Sequence, residues 1–286
     1  MISEEIKALI NLLDDPDEEV FTTVSAQLKD KGREVIPVLE AVWEDSLDEL
    51  LQERLENLIH DIEFNSTRAS LNNWVKSGGI ELLEGFFLIS KFHYPELNYN
   101  QVVETIEKIK NDIWLELNPH LTALEKVRIV NHVLFDVHGF SGNMSDFYNP
   151  SNSYVNYLLE TKKGNPISLS ILYSYLGQTL DIPVHGVNLP KNFILAYVDE
   201  FSHREDNILF YVNPFNKGAV LGKKEIDHFL RQQGLEPQDS FYQPCSNIEI
   251  IQRVVLNLIM AYEKKGEKNK VEDLQKLFHM LKEGQE

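Results

Sequence analysis

One cysteine, Cys245, stands in 286 residues. A single thiol cannot build a disulfide framework, so nothing in the chain asks for an oxidising compartment. No run reaches the roughly 18 apolar residues that a membrane helix needs. The N-terminus, MISEEIKALINLLDD, lacks the basic start and long apolar run of a signal peptide. These absences set the expectation of a cytoplasmic protein without membrane contact. Basic charge is scarce too, with 27 Lys and Arg against 45 Asp and Glu, a formal net of −18. Nucleic-acid binding needs a basic surface that displaces counterions from phosphates, so no nucleic-acid partner is expected. Phosphate-cradling glycine patterns are missing as well. Gly78 and Gly79 lack a phosphate-loop context, and no Walker or Rossmann spacing occurs.

What is present is unevenly spread. Residues 1–64 hold 18 acids against 5 bases, a net of −13, which leaves −5 for the other 222 residues. That first stretch reads as four short amphipathic helices. IKALINLL repeats apolar residues at helical spacing and is broken by Asp14, Asp15 and Pro16. EEVFTTVSAQLKD follows and ends at Lys31 and Gly32, a helix-stop signal. REVIPVLEAVWED and LDELLQERLENLIHDIEF complete the set. The phrase LLDDPDEEV, a second helix and then one with an early Pro37 resemble a HEAT-type repeat, although plain four-helix packing accounts for them equally well.

Residues 66–138 continue with helical apolar stripes, and GFSGNMSDFYNPSNS then reads as a loop that carries aromatics. After the helix SYVNYLLETKK, Asn165 and Pro166 supply an N-cap and a first-turn proline for ISLSILYSYLGQTL. Beyond that helix the period switches from helical to alternating. VHGVNLP, FILAYVDE and ILFYVNPF read as strands of a small antiparallel sheet, giving an α+β arrangement. The C-terminal IEIIQRVVLNLIMAYEKKGEKNKVEDLQKLFHML reads as a helical hairpin turning at Gly266 and resembles one tetratricopeptide-type pair.

The stretch from NHVLFDVHGF through GNPISLSILYSYLG and VHGVNLPKNFILAY to FYVNPFNKG resembles the SirB-one-like branch of the transglutaminase-like superfamily. The similarity covers roughly residues 121 to 283 and is dense from 131 to 218. It implies three parts: an acidic helical module at 1–64, a transglutaminase-like core with a helical lead-in at 65–240, and a helical hairpin at 246–283. The core would pack its central helix on the small antiparallel sheet. The superfamily further implies a Cys-His-Asp constellation, with the cysteine at the head of that helix, the histidine in a Pro-Gly-His-Phe phrase and the aspartate in an Asp-Pro-Phe phrase.

Those positions read differently here. The helix head is Gly164-Asn165-Pro166-Ile167-Ser168, with no cysteine; the histidine phrase is Pro190-Lys191-Asn192-Phe193, and the aspartate phrase is Asn213-Pro214-Phe215. An asparagine can orient a base, but its amide has no useful proton affinity near pH 7 and cannot be one. Ser168, Asn192 and Asn213 are therefore expected to converge as a degenerate triad without catalysis. Ser168 as a nucleophile would need a base even more than a thiol does, and His185, in an alternating strand, is a poor substitute.

The loop gives further candidates. Asn143, Asp146 and Tyr148, with Asn165 and Pro166, could line the mouth of a cleft, whereas the Asn and Ser residues could equally serve as turn and cap formers. His132 and His138 lie six apart, a poor metal spacing, and a packed histidine plus one at a helix C-terminus is expected instead. Asp136 and Asp146 lack the glycine spacing of a calcium loop. No cofactor or metal is expected. Three classes of function remain: a peptide- or protein-binding or regulatory module, a residual hydrolase or acyl transferase using Ser168, and a scaffold joining helical arms. The first is favoured. Oligomeric state is not readable from the sequence.

Overall fold

The computed structural model describes residues 4–199 and 207–284, which form two compact units, Met1–Leu71 and Asn72–Glu286. The first unit contains α1 (Glu4–Asn11), α2 (Glu18–Lys31), α3 (Ile36–Asp45) and α4 (Glu49–Lys76) as far as Leu71. Asp17 caps α2 by accepting from the Glu19 amide, and Pro37 sits in the first turn of α3, where a missing N–H costs nothing. No glycine or proline interrupts residues 49–76, so α4 continues past Phe64, where the apolar pattern suggested an end. Leu13, Leu28, Leu39, Leu55 and Ile62 are among the residues of a shared core.

Four of the five bases before residue 65 are engaged by carboxylates from other helices or turns. Lys29 reaches Asp61 at 2.6 Å, Lys31 reaches Glu5 at 3.0 Å, Arg33 reaches Glu63 at 3.9 Å and Arg54 reaches Glu18 at 2.7 Å. Arg54 is buried; it also donates to the Leu13 and Asp15 carbonyls and lies 4.3 Å from the centre of the Phe21 ring.

The second unit opens with α5 (Leu82–Lys91), α6 (Tyr99–Glu116) and α7 (Ala123–Asn131), the last extended by a wider π turn at His132–Val137. Strand β1 (Ser141–Gly142) then pairs in parallel with β2 (Lys163–Gly164) across α8 (Val155–Thr161). The central helix α9 (Pro166–Gln178) is buried over ten of its residues, as a helix surrounded on every side must be.

An antiparallel sheet follows in the order β3 (Val184–Val187), β4 (Ile194–Val198), β5 (Ile208–Asn213), β6 (Ala219–Leu221). Every residue of β4 is buried because both sheet faces are covered. Ile194, Ala196 and Val198 pack with Ile226 and Leu230 of α10 (Lys223–Gln232), while α9 contacts β3 and β4. The short β6 and α10 add to the elements expected from the sequence. The chain closes with α11 (Asn247–Lys265) and α12 (Lys268–Glu283), which turn at Gly266 in a left-handed cap. Helix α11 packs against α5, α9 and the 3₁₀ turn Pro150–Ser153. Buried Tyr154 and Tyr262 share a hydroxyl–hydroxyl hydrogen bond of 2.9 Å across this junction. The architecture is α+β. Among the described residues no helix is long and apolar enough to cross a membrane.

Candidate functional site

The head of α9 is fixed by a reciprocal cap. The Asn165 side-chain oxygen accepts from the Ser168 amide at 2.9 Å, and Ser168 Oγ accepts from the Asn165 amide at 3.0 Å. Ser168 is fully buried, and its hydroxyl also donates weakly back to the Asn165 carbonyl at 3.3 Å. Among the described residues no histidine or carboxylate bonds that hydroxyl. Gly164 allows the close approach, because a Cβ there would fall 2.6 Å from Ser168 Oγ and 2.8 Å from Leu158 Cδ1.

The loop before α8 closes on itself through amides. Asn143 Nδ2 donates to Asn152 Oδ1 at 2.9 Å, and Asn143 Oδ1 accepts from Ser145 Oγ and the Asp146 amide. Asn152 donates to the Asp146 carbonyl at 2.7 Å, and Asn149 donates to the Asp146 carboxylate at 2.8 Å. Asn143 and Asp146 thus shape the loop and do not line the cavity beside it. The aromatics do: Phe147 and Tyr148 stand edge-to-face, and Phe147 packs against Phe215 in the same way.

That cavity holds about 410 Å³. Tyr148 and Asn149 form one side, the α9 head residues Asn165, Pro166 and Ile167 a second, and Lys191, Asn192 and Phe193 a third. The fourth wall is α11, through Arg253, Asn257, Met260, Ala261 and Lys264. Of the sequence-derived candidates, Tyr148, Asn165, Pro166 and Asn192 line this space, and Ser168 lies beneath its floor at the helix head. Asn213 stands one step beyond the Leu195–Val212 pair of β4 and β5, and its side chain caps the turn Pro214–Asn216. It is not among the lining residues. Asn192 Oδ1 accepts from the Phe193 amide at 2.8 Å.

The α11 wall was missed by sequence reasoning. Positions 253, 257, 260, 261 and 264 recur at i, i+4, i+7, i+8 and i+11, so they share one helix face; a polar interruption of an otherwise apolar stripe was the available signal. Arg253 Nη1 donates to Asn188 Oδ1 at 2.6 Å and its Nε donates to Asn257 Oδ1 at 3.4 Å. Burial lowers the pKa of this guanidinium, yet an arginine stays charged at neutral pH. Lys264 Nζ lies 3.3 Å from the centre of the Tyr148 ring. Lys191 has a φ of +61°, the left-handed region where the glycine of the family phrase would sit without strain.

Other candidates fall away from this site. Cys245 lies before α11 and donates its thiol to the Gly186 carbonyl; burial, with Glu249 nearby, pushes it up to about 12, so it is held as an unreactive thiol. His185 is paired with Ala196 in the sheet and does not line the cavity. His132 corrects an expectation. It is exposed, not packed under the core, and contacts Asp136 at 3.3 Å, one turn along the widened helix. His138 bonds Asp112 at 2.8 Å. Among the described residues no group of three or more His, Cys, Asp or Glu side chains could hold a metal.

The buried helix α9 thus packs against the antiparallel sheet, with the cavity beside its head. Residues 100–256, more than half of the chain, match the transglutaminase-like superfamily, and the chain belongs to it. It is 29% identical over 189 residues to a UPF0162 protein of Xylella fastidiosa, covering 64% of this chain and 65% of that protein, a little under two thirds of its length. A UPF0162 protein of Vibrio cholerae is 25% identical over 151 residues, 53% of this chain and 54% of that one. F-box only protein 21 of Homo sapiens is 31% identical over 139 residues, 48% of this chain but 22% of that protein. No solved structure matches the chain.

Proposed function

We propose that this is a non-catalytic transglutaminase-like protein whose cavity binds a peptide or protein segment, as a binding or regulatory module. One observation carries the reading: the hydroxyl nearest the expected nucleophile position is fully buried and engaged in capping α9; the family resemblance, by which Asn192 replaces the base, agrees with it. A serine without a base is a very poor nucleophile near neutral pH. The neighbouring cavity is nevertheless open and lined by aromatic, amide and cationic groups, the mixture that recognises a ligand. Membership of the SirB-one-like branch, with Ser168, Asn192 and Asn213 at its degenerate triad positions, belongs to this proposal. So does a division into a HEAT-like acidic module at 1–64, a core at 65–240 and a tetratricopeptide-like hairpin at 246–283, in a cytoplasmic protein with neither nucleic-acid nor membrane partners.

The rival is a hydrolase or acyl transferase acting through Ser168. Incubation with a reactive peptide ester, followed by mass spectrometry of the peptide spanning Gly164–Ser168, separates the two. The proposal expects no adduct and no turnover above background. Saturable acylation of Ser168 would replace it with the rival.

A further inference from the structure

The lining of the cavity inverts the charge of the chain. A protein with 45 acids and 27 bases brings Lys191, Arg253 and Lys264 to one space whose lining contains no aspartate or glutamate. Among the described residues none of the three forms an ion pair. The half-buried Arg253 bonds only the side-chain oxygens of Asn188 and Asn257, Lys191 reaches the Gln233 carbonyl at 3.4 Å, and Lys264 rests on the Tyr148 ring. A guanidinium carries five N–H donors, and these two bonds use one on Nη1 and the one on Nε. Arg253 is partly withdrawn from water, which is unfavourable for a positive charge unless an anion compensates it, while Lys191 and Lys264 stay exposed at the rim. Lys191 also holds a left-handed backbone, a conformation a lysine enters only at a steric cost.

We infer that the cavity binds the carboxylate of an acidic peptide, held between Arg253 and the ammonium groups of Lys191 and Lys264, with Tyr148 and Met260 covering the peptide's apolar part. This rests on the binding function proposed above and names its ligand. An arginine fork matches the two oxygens of a carboxylate. At about 410 Å³ the cavity lies at the small end of ligand pockets, which run from roughly 300 to 1,000 Å³, so it suits a short segment. The carboxylate could come from a glutamate side chain or from a chain terminus.

Fluorescence anisotropy with four labelled hexapeptides tests this on the full-length protein: a glutamate-rich peptide amide, an alanine peptide with a free C-terminus, an alanine peptide amide, and a phosphoserine-rich peptide amide. The inference expects the alanine amide to bind at least tenfold more weakly than one of the two carboxylate peptides, and which of those two binds identifies the source. Arg253→Gln should weaken the better peptide about tenfold, in line with a charge-assisted hydrogen bond. Should Arg253→Gln fail to fold, Lys191→Gly, which restores an unstrained backbone, and Lys264→Gln should each still weaken it measurably, with reduced dependence on salt. Equal binding of the alanine amide, or unchanged affinity in the Lys191 and Lys264 variants, overturns the inference and leaves peptide binding itself standing. Tighter binding of the phosphoserine peptide overturns the carboxylate assignment. If none of the four peptides binds, the inference and the binding function fall together.

Discussion

The bases that meet carboxylates in the first unit and those that line the cavity of the second are used in opposite ways. In the first unit Lys29, Lys31, Arg33 and Arg54 each meet a carboxylate from another part of the fold, so the few positive charges fasten a strongly acidic helical module. In the second unit Lys191, Arg253 and Lys264 surround a cavity and meet amides, a carbonyl and a ring. Charge that is already compensated is doing structural work. Charge collected at a concave site and left with neutral neighbours is set up for an anion from outside. Net charge alone hides this difference, since both units are acidic by count.

That comparison can be broken most severely at Arg54. Arg54→Ala removes a buried guanidinium and strands the Leu13 and Asp15 carbonyls, so stability should fall by about 2–3 kcal/mol. Chemical denaturation followed by circular dichroism reads it, and a change under 0.5 kcal/mol would mean the pairing is incidental. Gly164→Ala should cost about 1–3 kcal/mol, because the new methyl meets Ser168 Oγ and Leu158 at sub-contact distances. The same substitution in a Ser168→Ala background should cost less, since one of the two clashes is relieved.

A smaller effect, of opposite sign, is expected at the cavity. Lys191→Gly should leave stability unchanged or raise it by up to about 1 kcal/mol, the relief of a left-handed lysine being partly offset by the greater freedom of glycine in the unfolded chain. A loss above 1 kcal/mol would show that Lys191 is structural, like the bases of the first unit. Least visible at neutral pH is Cys245. With its thiol pushed up to about 12 by burial, only about 10⁻⁵ is thiolate at pH 7, so alkylation of the folded protein should be far slower than that of a free cysteine and should quicken up to about pH 12. Rapid labelling at pH 7 would contradict that environment.

How far the sequence reached is clearest around α9. The Asn165-Pro166 start could be read because an N-cap and a first-turn proline are local chemistry, and β3, β4 and β5 because runs of β-branched and aromatic residues between loop residues favour strands. Strand β6 is three residues long, too short for pattern reading, whereas α10 did carry a signal, Ile226, Phe229 and Leu230 at i, i+3 and i+4 on an otherwise polar helix. The cavity was half readable. Tyr148, Asn165, Pro166 and Asn192 lie within or beside recognisable phrases, whereas Arg253, Asn257 and Lys264 arrive from a helix some 60 residues further on, placed there by packing against α5 and α9. Sequence could not say that Ser168 would be consumed by a cap, since that depends on Gly164 allowing the close approach.

The most direct measurement is side-chain nitrogen NMR on the full-length protein during titration with the glutamate-rich hexapeptide amide and with the alanine peptide bearing a free C-terminus. With whichever carboxylate peptide binds, the Arg253 Nε resonance should move saturably, joined by the Asn192 amide, while the Arg54 Nε resonance, on a guanidinium whose Nη1 and Nη2 are already held by two carbonyls and Glu18, stays in place. If neither peptide moves Arg253, or if Arg54 moves with it, the contrast between paired and waiting charges is wrong.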